Sequence, residues 1–98
     1  MGNFTMNSEK YKTARLMLCQ YLSDVASQKN ITQQQIAEKT GFTRSNVCRM
    51  LSGRYSPSID NFIKLTEAID VYFFIIDKDA DDELVETMKN RWGKIFTN

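Results

Sequence analysis

The spacing of apolar residues along the first third of the chain predicts a long helix. No Gly or Pro occurs from Glu9 to about Lys29, and apolar side chains recur there every three or four residues. One face of this helix would therefore lie against a core. Its apolar stripe consists of Tyr11, Ala14, Leu18, Leu22 and Val25, and Leu16, Met17, Cys19 and Tyr21 widen it.

Two short helices separated by a tight turn are predicted next. Thr32 occupies the N-cap position of a helix over residues 33–40, and Gly41 stands where a left-handed C-cap is needed. Thr43 then caps a third helix over residues 44–52. Because a single residue separates the glycine from the second cap, this order predicts a helix-turn-helix.

The second half of the chain predicts a fourth helix, a strand and a final helix. Ser58 caps a helix that extends to about residue 69. The six β-branched or aromatic residues at positions 71–76 predict a strand, and the amphipathic spacing of residues 83–92 predicts the last helix. The fold class expected is mainly α, a bundle of four to five helices with a C-terminal β-strand and a final helix.

Composition narrows the possible functions. The 98 residues suffice for one ordinary domain. With no histidine and only Cys19 and Cys48, the chain cannot build a structural zinc site from its own residues, and it lacks the commonest general base. The sequence contains no Gly-rich phosphate loop and no obvious catalytic pair of carboxylates. We therefore expect neither an enzyme nor a bound metal or cofactor.

Cysteine usage and hydropathy predict the location of the protein. Two cysteines are too few for a disulfide framework, which favours a reducing compartment. The longest apolar run, at positions 71–76, is far too short to cross a bilayer. Polar residues also interrupt every apolar stretch before Leu16, so no signal peptide is expected. A cytoplasmic protein without a membrane partner is the resulting expectation.

The net charge of +1 hides two halves of opposite charge. Residues 1–56 contain eight basic and three acidic side chains, whereas residues 57–98 contain five basic and nine acidic ones. Within the basic half, residues 40–58 include three arginines and no acid. This distribution predicts a positive face that binds nucleic acid and an acidic region with a different role.

The third predicted helix has a polar and basic outer face. On a helical wheel Val47, Met50 and Leu51 share one side, which we assign to the core. Short side chains on the other side would let the helix approach the floor of a major groove, where Arg can bind guanine N7 and O6. A solvated polar face is the alternative interpretation. The outer side contains Arg44, Ser45, Cys48, Arg49 and Ser52, with Asn46 at the border.

The two short helices belong to a longer pattern over residues 31–69, which read ITQQQIAEKTGFTRSNVCRMLSGRYSPSIDNFIKLTEAI. The positions that define this pattern are Thr32, Gln33, Ile36, Ala37, Gly41, Val47, Leu51, Ser52, Gly53, Pro57 and Ser58. With all of them in register, the segment resembles the helix-turn-helix of the Cro/CI repressor family, also called the XRE family. The resemblance implies a lambda-repressor-like helix-turn-helix bundle that binds DNA.

The resemblance also implies a role for each matching position. Gln33 would brace the phosphate backbone at the start of the second helix, and Arg49 is often basic in relatives. The residues that would face base edges and nearby phosphates are Thr43, Arg44, Ser45 and Asn46. Those that would touch phosphate are Ser52, Arg54, Tyr55 and Ser56.

Two positions depart from the family pattern. Some phage relatives have Gln where Arg44 stands, so we expect guanine rather than adenine at that step. Cys48 replaces a serine that is common in relatives. It is either a small tolerated residue or an oxidisable thiol at the DNA surface.

The acidic second half is predicted to join two copies of the chain. One helix-turn-helix reads only half a site, so a second copy of the chain is expected to read the other half. We therefore divide the chain into a DNA-binding domain, residues 1–70, and a dimerisation extension, residues 71–98. A strand without a partner in its own chain is unstable in water, so we expect it to pair antiparallel with its copy. The alternatives are pairing with residues 3–6 or one more turn of helix. The expected dimer contacts are Val71, Tyr72, Phe73, Phe74, Ile75, Ile76 and Trp92.

These observations predict a function. We expect sequence-specific binding of double-stranded DNA by a homodimer, with a palindromic operator and a role as a transcriptional repressor. The alternatives are an antitoxin that also binds a toxin, since relatives include antitoxins, and a protein-interaction module that keeps the fold without binding DNA.

Overall fold

The computed structural model describes residues 8–73, 75–79 and 82–92 of the chain. These residues form five helices, and the mainly helical fold is therefore confirmed. The third helix ends one residue earlier than predicted because Ser52 takes its C-cap position. The helices are α1 (Ser8–Gln28), α2 (Gln33–Thr40), α3 (Arg44–Leu51), α4 (Ile59–Ile69) and α5 (Asp82–Trp92).

Side-chain and backbone caps fix the turn between α2 and α3. The Thr32 hydroxyl accepts from the backbone N–H of Gln35 at 3.1 Å, and the Gln35 side chain accepts from the Thr32 N–H at 2.9 Å. Gly41 ends α2 with φ at 81°, a left-handed conformation that favours glycine. Thr43 then accepts from the N–H of Asn46 at 3.0 Å and begins α3. These caps therefore fix where α2 begins and ends and where α3 begins.

A single core lies among the first four helices. α3 packs on α2 and α1, and α4 packs on the same two helices. The hydroxyl of the buried Thr66 is hydrogen-bonded, since it donates to the Ile63 carbonyl at 2.7 Å. The innermost side chains are Ile36, Val47, Met50, Leu65 and Ile69, and Leu22 and Ala26 join them from α1.

Two lysines hold the carboxyl end of α4. Asp70 ends this helix in a left-handed conformation with φ at 63°. The Lys29 ammonium donates to the carbonyls of Ile69 and Asp70 at 2.9 and 2.7 Å, and the Lys39 ammonium donates to the Ala68 carbonyl at 3.5 Å. Cations at these positions also match the negative end of the helix dipole. The residue after α1 and the last turn of α2 are thereby tied to the end of α4.

The prediction of a strand over residues 71–76 is wrong. The described residues of this segment, 71–73 and 75–76, have no regular secondary structure. Phe73 instead packs edge-on against Phe62 of α4, with ring centroids 5.1 Å apart. The apolar composition favoured a strand, but the described part of the chain contains no second strand to accept its hydrogen bonds. Position 74 and residues 3–6 lie outside the described residues.

Arg91 of the last helix contacts a side chain of the first helix. The Arg91 guanidinium sits 5.0 Å from the centroid of the Tyr21 ring and donates to its hydroxyl at 2.9 Å. This cation–π contact and hydrogen bond join the end of α5 to the middle of α1. Among the described residues, none of the helices combines the length and apolar character needed to cross a bilayer.

Candidate nucleic-acid interface

The inner side of α3 is buried and its outer side is open. Val47, Met50 and Leu51 are at most 5% exposed, as the helical wheel predicts. Arg44, Ser45, Arg49 and Ser52 lie exposed on the other side, and Asn46 and Cys48 are half-buried between them. Burial of one face against α1 and α2 therefore holds the polar face outward.

A chain of hydrogen bonds joins the outer face of α3 to the loop that follows it. Arg49 donates from Nη1 to Asn46 Oδ1 at 3.4 Å, which directs its side chain along the helix. The Arg49 carbonyl accepts from the Ser52 hydroxyl and from the N–H of Arg54, both at 3.1 Å. The structure thus brings Asn46, Arg49, Ser52 and Arg54 together on one surface.

The other predicted DNA-binding residues flank this surface. Thr43 is exposed, and its hydroxyl is occupied by capping α3. Gln33 is half-buried in the first turn of α2, directly after the Thr32 cap. Tyr55 and Ser56 are exposed in the loop between α3 and α4. Polar donors are therefore available before, along and after the outer face of α3.

The predicted dimer contacts divide into two groups. Tyr72 and Ile75 are 95% and 92% exposed, so their apolar surface is open to another molecule. Val71 and Ile76 are half-buried, and Phe73 rests on α4. Phe74 and the side chain of Trp92 lie outside the described part of the chain.

The two cysteines differ in their surroundings. Cys19 is buried on the inner side of α1, and burial raises the pKa of its thiol, an effect that the nearby charge of Arg15 opposes. Its thiol is therefore protonated and inert at neutral pH. Cys48 is half-exposed on α3, so it is the more accessible of the two thiols.

One contact beside this surface was not predicted. Gly53 is buried beneath Leu16 of α1, and a Cβ on this glycine would overlap with Leu16 Cδ2. The periodicity of α1 indicated only which side faces the core. Gly53 adopts a left-handed conformation with φ at 75°, which favours glycine and lets this loop turn tightly.

Comparison with known proteins assigns the chain to a class. Residues 26–76, just over half of the chain, match the model of the helix-turn-helix family. A search of curated proteins and a search of solved structures each gave no match. The fold and this match define a DNA-binding helix-turn-helix regulator. The chain belongs to the Cro/CI type of that family, the XRE family.

Proposed function

We propose that this protein binds a specific sequence of double-stranded DNA as a homodimer and represses transcription there. The observation that carries the proposal is the outer face of α3, where Arg44 and Arg49 lie exposed among short polar residues. In this role α3 enters the major groove. The absence of acidic side chains from residues 40–58 avoids repulsion between this face and the phosphates.

Some residues of the interface would contact bases and others would contact phosphates. Arg44 and Arg49 bind base edges, because a guanidinium can donate two parallel hydrogen bonds to guanine N7 and O6. Ser45 and Asn46, in the first turn of α3, would contact bases or nearby phosphates. Phosphate contacts come from the flanks and fix the position of the protein without reading sequence. The flanking residues are Gln33, Thr43, Ser52, Arg54, Tyr55 and Ser56.

Selection from a random pool of duplexes tests sequence-specific binding and the dimer together. We expect the selected duplexes to share a palindrome with half-sites about 34 Å apart, one helical turn. On the selected duplex, the logarithm of the association constant should fall linearly with the logarithm of salt concentration. Failure to enrich any motif would contradict the proposal and favour an interaction module without DNA. A motif with one half-site would contradict the dimer.

The proposed dimer uses apolar surface on and after α4. Ile59 and Ile63 are 60% and 41% exposed on this helix, and Phe73 extends the surface by packing on Phe62. Tyr72 and Ile75 continue it beyond the helix. A second copy of the chain would cover this surface, since two-fold symmetry suits a palindromic site.

Ile75→Asp should therefore shift the protein towards monomer, because it places a charge on the apolar surface of the proposed contact. Sedimentation velocity over a range of protein concentrations measures the shift. Met17→Asp is the matched control, since it adds the same charge at a part-exposed apolar residue of α1 and should leave the association unchanged. A wild-type chain that stays monomeric at every concentration would contradict the proposed dimer.

A further inference from the structure

The amino-terminal half of α1 lies against the DNA-facing loop. A Cβ on Gly53 would be 3.9 Å from the Cα of Leu16, so the helix backbone itself passes close to the loop. The neighbouring Arg54 donates its N–H to the Arg49 carbonyl in the last turn of α3. α1, the loop and the outer face of α3 therefore form adjoining surfaces. This half of α1 precedes residue 26, where the family match begins.

The side of α1 that reaches this loop carries positive charge. Lys12 is exposed and lies one turn before Leu16, and residues at this spacing are neighbours on a helix surface. Arg15 is half-buried and its Nε atom is shielded from solvent, so its side chain lies partly against the interior. Lys12 is therefore the side chain in position to extend the basic surface of Arg49 and Arg54.

We propose that Lys12 contacts a phosphate of the DNA backbone next to the half-site read by α3. This inference rests on the proposed function and adds α1 to the DNA-binding surface. A lysine suits the task, because its flexible stem carries a compact charge that binds phosphate without reading a base. The nearby Glu9, also in this half of α1, is exposed in the first turn and limits how far along the helix the contact extends.

The salt dependence of binding tests this contact. Each phosphate neutralised by a cationic side chain contributes about 0.9 to the slope of log K against log salt. We expect Lys12→Gln to reduce the slope by about that amount. It should weaken binding equally to the selected operator and to a scrambled duplex. Lys12→Arg should restore the slope, and hydroxyl-radical footprinting should lose protection at a flanking backbone position only in Lys12→Gln.

Lys78→Gln is the matched control, since it removes the same charge from an exposed position beyond α4. An unchanged slope and footprint in a folded Lys12→Gln protein would overturn the inference, as would an equal loss of slope in Lys78→Gln. Failure of the proposed function is distinguishable, because the wild-type protein would then show no preference for any duplex.

Discussion

Replacing Arg49 by alanine is expected to weaken binding to a selected operator by about 1–3 kcal/mol, or roughly 5- to 150-fold. Arg49 is exposed on the outer face of α3, and its hydrogen bond to Asn46 directs the guanidinium before DNA arrives. Its truncation removes the two parallel hydrogen bonds that the guanidinium would donate to guanine. Arg44→Ala should have an effect of the same order. Fluorescence anisotropy titrations at fixed salt measure both.

Three further variants separate reading of bases from attraction to phosphate. Arg49→Lys keeps the charge but loses the planar fork, so it should lose preference for the operator while retaining most non-specific affinity. Gln33→Ala should weaken binding to all duplexes by similar factors. Lys78→Gln is the control for loss of charge. Unchanged affinity of both arginine-to-alanine variants for the operator would remove these residues from base recognition.

Replacing Leu65 by alanine is expected to lower the free energy of unfolding by about 2–5 kcal/mol. Leu65 is 0% exposed in the middle of α4, where the loss of its side chain leaves a cavity among the other core residues. A domain of this size has a total stability of only about 5–15 kcal/mol, so the variant should approach the limit of folding. Urea denaturation followed by circular dichroism gives the value.

Ile63→Ala provides the comparison on the same helix. Ile63 is 41% exposed, so its truncation removes less buried surface and should cost clearly less than Leu65→Ala. A folded Leu65→Ala protein should still bind the operator with nearly wild-type affinity, because the outer face of α3 is unchanged. Equal destabilisation by the two variants would show that the core does not extend to Leu65 as described.

The helices and the face of α3 follow from local signals. Thr32, Gly41 and Thr43 define the ends of α2 and α3 through hydrogen bonds within a few residues, and such bonds depend little on the rest of the fold. The periodicity of α3 separates its buried from its exposed residues for the same reason. These features can therefore be predicted from the sequence alone.

The segment after α4 and the contact of α1 with the loop depend on tertiary packing. The apolar composition of residues 71–76 favours a strand, yet a strand also needs a hydrogen-bonding neighbour, which composition does not reveal. Phe73 instead packs against Phe62 of α4. The pairing of Leu16 with Gly53 joins positions far apart in the chain, and no local pattern encodes it. Lys12 was missed as a candidate for this reason.

The tight connection between α2 and α3 has a consequence for how such a protein changes its target. The caps at Thr32, Gly41 and Thr43 form hydrogen bonds with backbone groups at the ends of α2 and α3, and none of these bonds involves Arg44, Ser45 or Arg49. Exchanging Arg44, Ser45 or Arg49 would therefore alter the proposed DNA-reading surface while the scaffold beneath it keeps its shape. New operators become accessible through a few surface substitutions, so regulatory circuits can diverge without any new fold having to evolve.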